Sequence, residues 1–207
     1  MNAFEKTVQT LARHIVVGLR STRLDELESG ILRKYLPAGV IIFARNVESA
    51  SGLQSLTAEI SSIYEKAGAL PPLIMADHEG GRTSVLARAI GTPPSQMAAA
   101  MSCRTGAVGE LFRETAARML ACGVNMSLGP VADINSEYLN PVIGTRAFGM
   151  SEEMVSALVS EAVEAMKSTG ILTSIKHFPG HGSTAGDSHV ELPVTAKNMG
   201  QLRIKDL

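Results

Sequence analysis

Apolar residues fall into two alternating kinds of segment along this chain. Five short runs are rich in β-branched residues and are bounded by glycine or proline, a pattern typical of buried strands. These runs occupy residues 14–19, 39–43, 72–76, 124–128 and 171–175. We therefore predict five strands, all of them largely buried.

The segments between these runs carry apolar side chains three or four residues apart, which predicts amphipathic helices. Ser151 followed by two glutamates is a good helix start, and Lys167 with Gly170 a good helix end. The alternation of strands and helices predicts an α/β fold with a parallel sheet. The predicted buried faces are Leu24, Leu27, Ile31 and Tyr35; Leu53, Leu56, Ile60 and Ile63; Val108, Leu111, Phe112, Thr115 and Met119; and Met154, Val155, Leu158, Val159, Ala162 and Met166.

Two α/β architectures fit this alternation, an open doubly wound sheet and a (β/α)8 barrel. An open sheet usually carries a G-x-G-x-x-G turn after its first strand, whereas residues 18–21 read G-L-R-S. Polar residues instead follow the ends of several later strands, as they do on the catalytic face of a barrel. A complete barrel needs about 250 residues. We therefore predict a (β/α)8 TIM-type barrel that is incomplete, with about five of its eight strands, in one domain over residues 1–207.

Composition and charge narrow the possible partners. Hydrophobic residues make up 45% of the chain, charged residues 19%, and the formal net charge is −1. No basic stripe is present to bind phosphates, so we expect no nucleic-acid partner. The apolar stretch 15–19 is too short to span a bilayer, and we expect no membrane partner. Two cysteines, Cys103 and Cys122, are too few for a disulfide scaffold and predict free thiols in a cytoplasmic protein.

The densest chemistry lies in residues 176–189, which read K-H-F-P-G-H-G-S-T-A-G-D-S-H. Glycine and proline predict that this segment is a loop after the fifth strand. Asp187 and His189 are a candidate acid–base pair, because a carboxylate can fix the imidazole tautomer while the other ring nitrogen exchanges a proton near neutral pH. Lys176 and His177 are candidate donors to substrate hydroxyls. Together these groups suit a small polyhydroxylated ligand.

A metal site is the alternative interpretation of the same histidines, since imidazole and carboxylate are common metal ligands. His177 and His181 are four residues apart, but Pro179 and Gly180 prevent the helix that would put both rings on one face. We therefore expect no metal and no cofactor. A metal-dependent hydrolase remains open as an alternative.

Two further segments follow strand ends. In residues 77–82, D-H-E-G-G-R, paired glycines permit a sharp turn, and Asp77 is the better ligand candidate because its carboxylate can accept two hydrogen bonds from sugar hydroxyls. We expect Glu79 and Arg82 to form a structural ion pair. Arg146 is a third site candidate, with pairing to Asp133 as the alternative. Asp133 is expected to support the site rather than react.

Taken together, these segments resemble glycoside hydrolase family 3, in its bacterial β-N-acetylhexosaminidase branch. The K-H-F-P-G-H-G run followed by D-S-H is highly specific, and the weaker matches fall in the right order. The matching stretches are G-V-I-I-F-A-R-N at 39–46, A-D-H-E-G-G-R at 76–82, G-P-V-A-D-I at 129–134, I-G-T-R at 143–146, K-H-F-P-G-H-G at 176–182 and D-S-H at 187–189.

The resemblance implies a TIM-type barrel that removes terminal β-linked N-acetylglucosamine with retention of configuration, in cell-wall recycling. It implies that His189 is the acid/base and that Asp187 is its partner. The sugar-binding positions implied by the resemblance are Asp77, Arg146, Lys176 and His177. An imidazole in the acid/base role departs from the usual pair of carboxylates in retaining glycosidases.

The sequence departs from the family pattern in two places. Family members carry an arginine shortly after the E-G-G-R turn, where this chain has Val85, with Arg88 out of register. The family's nucleophile is an aspartate in an S-D-D-type segment after a later strand, and these 207 residues hold no such segment. We therefore expect the isolated chain to keep part of a sugar site and to hydrolyse very little. A non-catalytic carbohydrate-binding fragment and a phosphorylase remain open as well.

Overall fold

The computed structural model of the protein describes residues 3–102, 104–184, 186, 190, 192, 194 and 197–205. Within them lie eight α-helices and seven strands. The strands are β1 Val16–Gly18, β2 Gly39–Ile42, β3 Leu73–Ala76, β4 His78–Gly80, β5 Thr83–Ser84, β6 Met126–Ser127 and β7 Leu172–Thr173. The helices are α1 Ala3–Ala12, α2 Glu26–Tyr35, α3 Ala50–Lys66, α4 Ala87–Ile90, α5 Gln96–Met101, α6 Ala107–Ala121, α7 Glu152–Lys167 and α8 Met199–Lys205.

All five predicted strands are present, as β1, β2, β3, β6 and β7, but the predicted burial is wrong for β1 and β7, where Val16 is 39% and Leu172 is 52% exposed. Each is shorter than the apolar run that predicted it. Strands alternate with helices along the chain, which confirms the predicted α/β class. The remaining strands, β4 and β5, pair with each other in a separate two-stranded sheet.

The chain divides into two compact units. The first comprises Met1–His78, Val85–Gly91 and Ala117–Ser127. Within it, β1, β2, β3 and β6 pair side by side in that order, and every pairing is parallel. Val40 and Ile42 of β2, like Ile74 and Ala76 of β3, are almost fully buried, and because they alternate along paired strands they form one buried face of the sheet.

Helix α3 buries the face that its periodicity predicts. Its N-cap is Ser49, whose hydroxyl accepts the Gly52 N–H. Of the predicted side chains, Ile63 is the least deeply buried, at 7% exposed. The buried set is Leu53, Leu56, Ile60 and Ile63.

The predicted face of helix α2 is wrong. Leu27 is 55% exposed and Ile31 is 38% exposed, whereas Leu32 is buried. The physical reason is a capping box at the helix start, in which Asp25 accepts the Glu28 N–H and Glu28 accepts the Asp25 N–H. Glu28 also accepts the Arg20 N–H, so polar bonding turns this side chain inward.

The second unit comprises Glu79–Ser84, Thr92–Ala116 and Leu128–Leu207. Helix α7 buries Val155 and Val159 as predicted, although Met154 is 49% exposed. Phe112 of α6 is buried as predicted, and its ring lies 5.9 Å from that of Phe148. These contacts form the apolar part of a unit whose loops carry the polar cluster described below.

Two further findings bear on the sequence predictions. Cys122 is a buried free thiol, and Cys103 lies outside the described residues. Among the helices that the structure describes, none combines the length and the apolar character that crossing a bilayer requires.

Gly39 and Gly30 offer a matched test of the packing of β2. A Cβ at Gly39 would overlap the carbonyl oxygen of Leu73 and lie 2.7 Å from the Leu73 Cβ. Gly39→Ala should therefore destabilise the protein by at least about 2 kcal/mol in urea unfolding. A Cβ at Gly30, inside α2, would meet nothing within 4 Å. Gly30→Ala should instead stabilise by about 0.5–1 kcal/mol, and equal effects of the two changes would contradict the packing.

His78 should make stability depend on pH. It is 4% exposed, and burial lowers its pKa to about 4, while an unfolded histidine titrates near 6.5. Between these values the unfolded chain binds more protons, so stability falls as pH decreases through the window, by about 3 kcal/mol in total. His78→Gln keeps an acceptor for the Leu86 N–H but cannot be protonated. Urea midpoints measured from pH 7 to pH 4.5 should fall less in this variant, and an unchanged decline would contradict the assignment.

Candidate active site

Two buried carboxylates, Glu79 and Asp133, form the base of a polar cluster in the second unit. The Glu79 side chain is 1% exposed, and the Asp133 side chain is fully buried at 0%. Glu79 lies in β4, and Asp133 follows the segment 130–132, which runs beside Lys176. Buried charges persist only when they are paired and hydrogen-bonded, and both carboxylates are.

Glu79 holds two cationic side chains. Arg146 binds it through two parallel hydrogen bonds, from Nε to Oε2 at 2.7 Å and from Nη2 to Oε1 at 2.8 Å. The Lys176 Nζ lies 2.5 Å from the same Oε1. Burial alone would raise the pKa of Glu79, but the hydrogen bonds and positive charges of Arg146 and Lys176 outweigh it and hold the pKa below its ordinary value. Glu79 is therefore ionised at neutral pH.

Asp133 holds the imidazole of His177 and the start of the following loop. Its Oδ2 lies 2.6 Å from His177 Nδ1, and its Oδ1 accepts the His181 N–H at 2.6 Å. Burial would raise the pKa of Asp133, and these hydrogen bonds lower it below its ordinary value. The expectation that Asp133 supports the site fits this geometry.

The tautomer of His177 follows from its two partners. Nδ1 faces the ionised Asp133, which can only accept, so Nδ1 carries a proton. Nε2 lies 3.1 Å from Arg146 Nη2, and a guanidinium can only donate. In the neutral ring Nε2 is therefore the acceptor, and His177 links the Asp133 pair to the Glu79 pair.

Gln96 holds the backbone of Val131, the residue that pairs with Lys176. It is 1% exposed, its Nε2 donates to the Val131 carbonyl at 2.8 Å, and its Oε1 accepts the Val131 N–H at 2.9 Å. Val131 forms a parallel bridge with Lys176, whose carbonyl accepts the Ala132 N–H at 2.7 Å. No local pattern in the sequence marks Gln96 as a site residue, because its partner is 35 residues away.

Asn140 hydrogen-bonds to two loops, and no pattern in the sequence marks it as a site residue either. Its Oδ1 accepts the Val142 and Ile143 N–H groups at 2.8 and 2.7 Å. Its Nδ2 donates to the carbonyls of His181 and Thr184, both at 2.7 Å. All four hydrogen-bonding positions of this buried amide are used, so the 140–143 loop and the 181–184 loop are held as one.

One predicted ion pair is wrong, and one pair considered as an alternative is not formed. Arg82 does not take Glu79 as its partner, because its guanidinium donates to the carbonyls of residues 141–143 instead. Gly80 and Gly81, with φ of 96° and 55°, turn the chain between the two side chains. The alternative pairing of Arg146 with Asp133 is not observed, since Arg146 binds Glu79 and Asp133 binds His177.

The structure brings Arg146, Lys176 and His177 into one cluster. Asp77 follows β3 in the first unit, where its carbonyl accepts the Val85 N–H. The candidate acid–base residues Asp187 and His189 lie outside the described residues. Within the described part of the chain, no three His, Cys, Asp or Glu side chains are grouped in a way that could hold a metal ion.

The carboxylates of this cluster are less exposed to solvent than its basic side chains. Glu79 and Asp133 are at most 1% exposed, whereas the side chains of Arg146, Lys176 and His177 are 11%, 15% and 33% exposed. The carboxylates are thus buried, and the basic side chains that they hold are the more exposed members of the cluster. Chemically, the Lys176 ammonium carries three N–H donors and can donate a charge-assisted hydrogen bond to an oxygen of a small ligand.

Comparison of the sequence with known proteins gives consistent matches. Residues 5–207 match the glycosyl hydrolase family 3 N terminal domain. The β-hexosaminidase of Neisseria meningitidis serogroup C (strain 053442) is 34% identical over 210 residues, which cover 97% of this chain and 56% of that protein. The β-hexosaminidase of Alkalilimnicola ehrlichii is 37% identical over 207 residues, covering 93% and 56%. The chain thus spans little more than half the length of these relatives.

Solved structures give the same result. A family 3 β-N-acetylglucosaminidase from Paenibacillus sp. matches with a TM-score of 0.91 at 30% identity, over 96% of this chain and 38% of that one. Native NagZ from Neisseria gonorrhoeae matches with a TM-score of 0.85 at 30% identity, over 94% and 58%. These similarities confirm the predicted fold class, an incomplete TIM-type α/β barrel. Because the family match extends over almost the entire sequence, the chain belongs to glycosyl hydrolase family 3.

Proposed function

We propose that the protein removes terminal β-linked N-acetylglucosamine, and that this chain supplies the sugar-binding and acid/base residues. One observation carries the proposal: Arg146 and Lys176 are cationic N–H donors, 11% and 15% exposed, that one buried carboxylate, Glu79, holds side by side. The relatives named β-hexosaminidase and β-N-acetylglucosaminidase support the same substrate class. We further propose that the protein acts in the cytoplasm, in cell-wall recycling.

Sugar binding follows from the chemistry of the cluster. A pyranose presents several hydroxyl oxygens, each of which can accept a hydrogen bond. The cations are fixed by Glu79 before a ligand arrives, so binding costs little side-chain entropy. By resemblance, Asp77 adds a carboxylate that accepts hydrogen bonds from sugar hydroxyls.

The proposed chemistry uses two steps and retains the anomeric configuration. The family's aspartate attacks the anomeric carbon while protonated His189 donates its proton to the leaving glycosidic oxygen. Neutral His189 then takes a proton from water, which attacks the same carbon and releases the aspartate. Asp187 accepts a hydrogen bond from the other ring nitrogen and stabilises the charged form of His189.

Binding of N-acetylglucosamine to the chain tests the sugar site. Calorimetry should detect binding to the wild-type chain, and Lys176→Met should weaken it at least about tenfold, because a charge-assisted donor is lost. Lys167→Met is the matched control, since Lys167 is 74% exposed at the end of α7 and pairs only loosely with Glu164. Absence of wild-type binding, or equal affinity of the Lys176 and Lys167 variants, would contradict the proposal.

The role of His189 is tested by turnover. In a full-length version of the protein, His189→Ala should lower kcat by about 10²–10⁴-fold, the usual contribution of a general acid, while sugar affinity stays largely unchanged. His14→Ala, at an exposed position after α1, serves as the control. Hydrolysis of a chromogenic β-N-acetylglucosaminide measures both, and an unchanged rate in the His189 variant would exclude the assignment.

A further inference from the structure

Glu79 is a buried residue that cannot itself reach a ligand, yet both cations of the site bind it. We propose that Glu79 is a positioning residue that sets specificity, by offsetting the charge of Arg146 and Lys176 so that the site takes a neutral polyhydroxylated sugar and rejects small anions. This inference deepens the proposed function and rests on it for the identity of the neutral ligand.

The geometry fixes the direction of both cations. Arg146 uses one edge of its guanidinium, Nε and Nη2, on the two oxygens of Glu79. The remaining Nη1 donates to the Val142 carbonyl at 3.2 Å. Lys176 is a flexible side chain with no preferred plane, and its contact at 2.5 Å with Glu79 restricts it to one position. Without this carboxylate, neither cation has the same anchor.

The charges around the two anchored cations determine whether the site binds an anionic or a neutral ligand. An adjacent arginine and lysine without a counter-charge are a common site for phosphate or carboxylate. Here Glu79 contributes a negative charge within hydrogen-bond distance of both, and Asp133 adds another beneath His177. An anion approaching the donors therefore meets the repulsion of two buried carboxylates, whereas a hydroxyl oxygen does not.

The alternative role for Glu79, a purely structural ion pair, predicts different behaviour. A structural pair would affect folding and all ligands alike. The proposed role predicts that removing the charge, at constant shape, weakens the sugar and strengthens the anion. Opposite changes in the affinities for the sugar and for the anion would therefore distinguish the proposed role from a purely structural one.

The experiment compares Glu79→Gln and Glu79→Asp with the wild-type chain, by calorimetry with N-acetylglucosamine and with inorganic phosphate at fixed ionic strength. Glu79→Gln keeps the shape and loses the charge, and its phosphate affinity should rise at least tenfold while sugar affinity falls. Glu79→Asp keeps the charge on a shorter side chain, so sugar affinity should fall without the gain in phosphate binding. Glu164→Gln removes an equal charge from a side chain that is 73% exposed and should change neither ligand.

A competition experiment with the wild-type chain tests the same inference without any substitution. Phosphate at millimolar concentration should not displace N-acetylglucosamine from it, and displacement would overturn the inference. So would a folded Glu79→Gln chain, checked by circular dichroism, that binds phosphate no better than the wild type. A wild-type chain that binds no sugar would count against the proposed function, whereas the phosphate gain in Glu79→Gln would still support the role of Glu79.

Discussion

The ion pair network centred on Glu79 is the interaction on which the site depends. It joins three segments that are far apart in the sequence, since Arg146 is 67 residues from Glu79 and Lys176 lies further still. A charge so deeply buried is costly unless all its hydrogen-bonding capacity is used, and both oxygens of Glu79 are engaged. Losing either cationic partner would leave the buried charge of Glu79 incompletely paired, which costs free energy. The three segments therefore depend on one another.

Around this network, polar side chains take the place of regular backbone pairing. Glu79 lies in the short strand β4, but β7 ends at Thr173, before Lys176, and Lys176 pairs with Val131 through an isolated bridge. Gln96 binds both backbone groups of Val131, Asn140 binds two loops, and Arg82 donates to three successive carbonyls. These bonds satisfy backbone groups that a loop would otherwise bury unpaired, and they make the loops rigid enough to position side chains.

His177 connects the Asp133 pair with the Glu79 pair through its two ring nitrogens. Asp133 takes the proton-bearing nitrogen, and Arg146 donates to the other. The ring therefore has one preferred tautomer and one preferred orientation, both set by groups outside the ligand. A site built in this way is organised before any ligand arrives, so binding costs little additional ordering of these side chains. The two buried carboxylates do not contact solvent; they act through the donors that they hold.

The sequence by itself determined the five strands, the face of α3 and the residue types of the donor cluster, because burial repeats with the period of each element and reactive groups follow strand ends. Only the tertiary structure decided the partners. Glu79 and Arg82 are neighbours in sequence, but the turn at Gly80 and Gly81 separates their side chains, so that Glu79 binds the side chain of Arg146 and Arg82 binds backbone carbonyls of residues 141–143. The inward face of α2 was likewise set by the hydrogen bonds of Glu28, which outweigh apolar periodicity. Local pattern encodes which side chains are buried, whereas the pairing of buried charges depends on which distant loops meet.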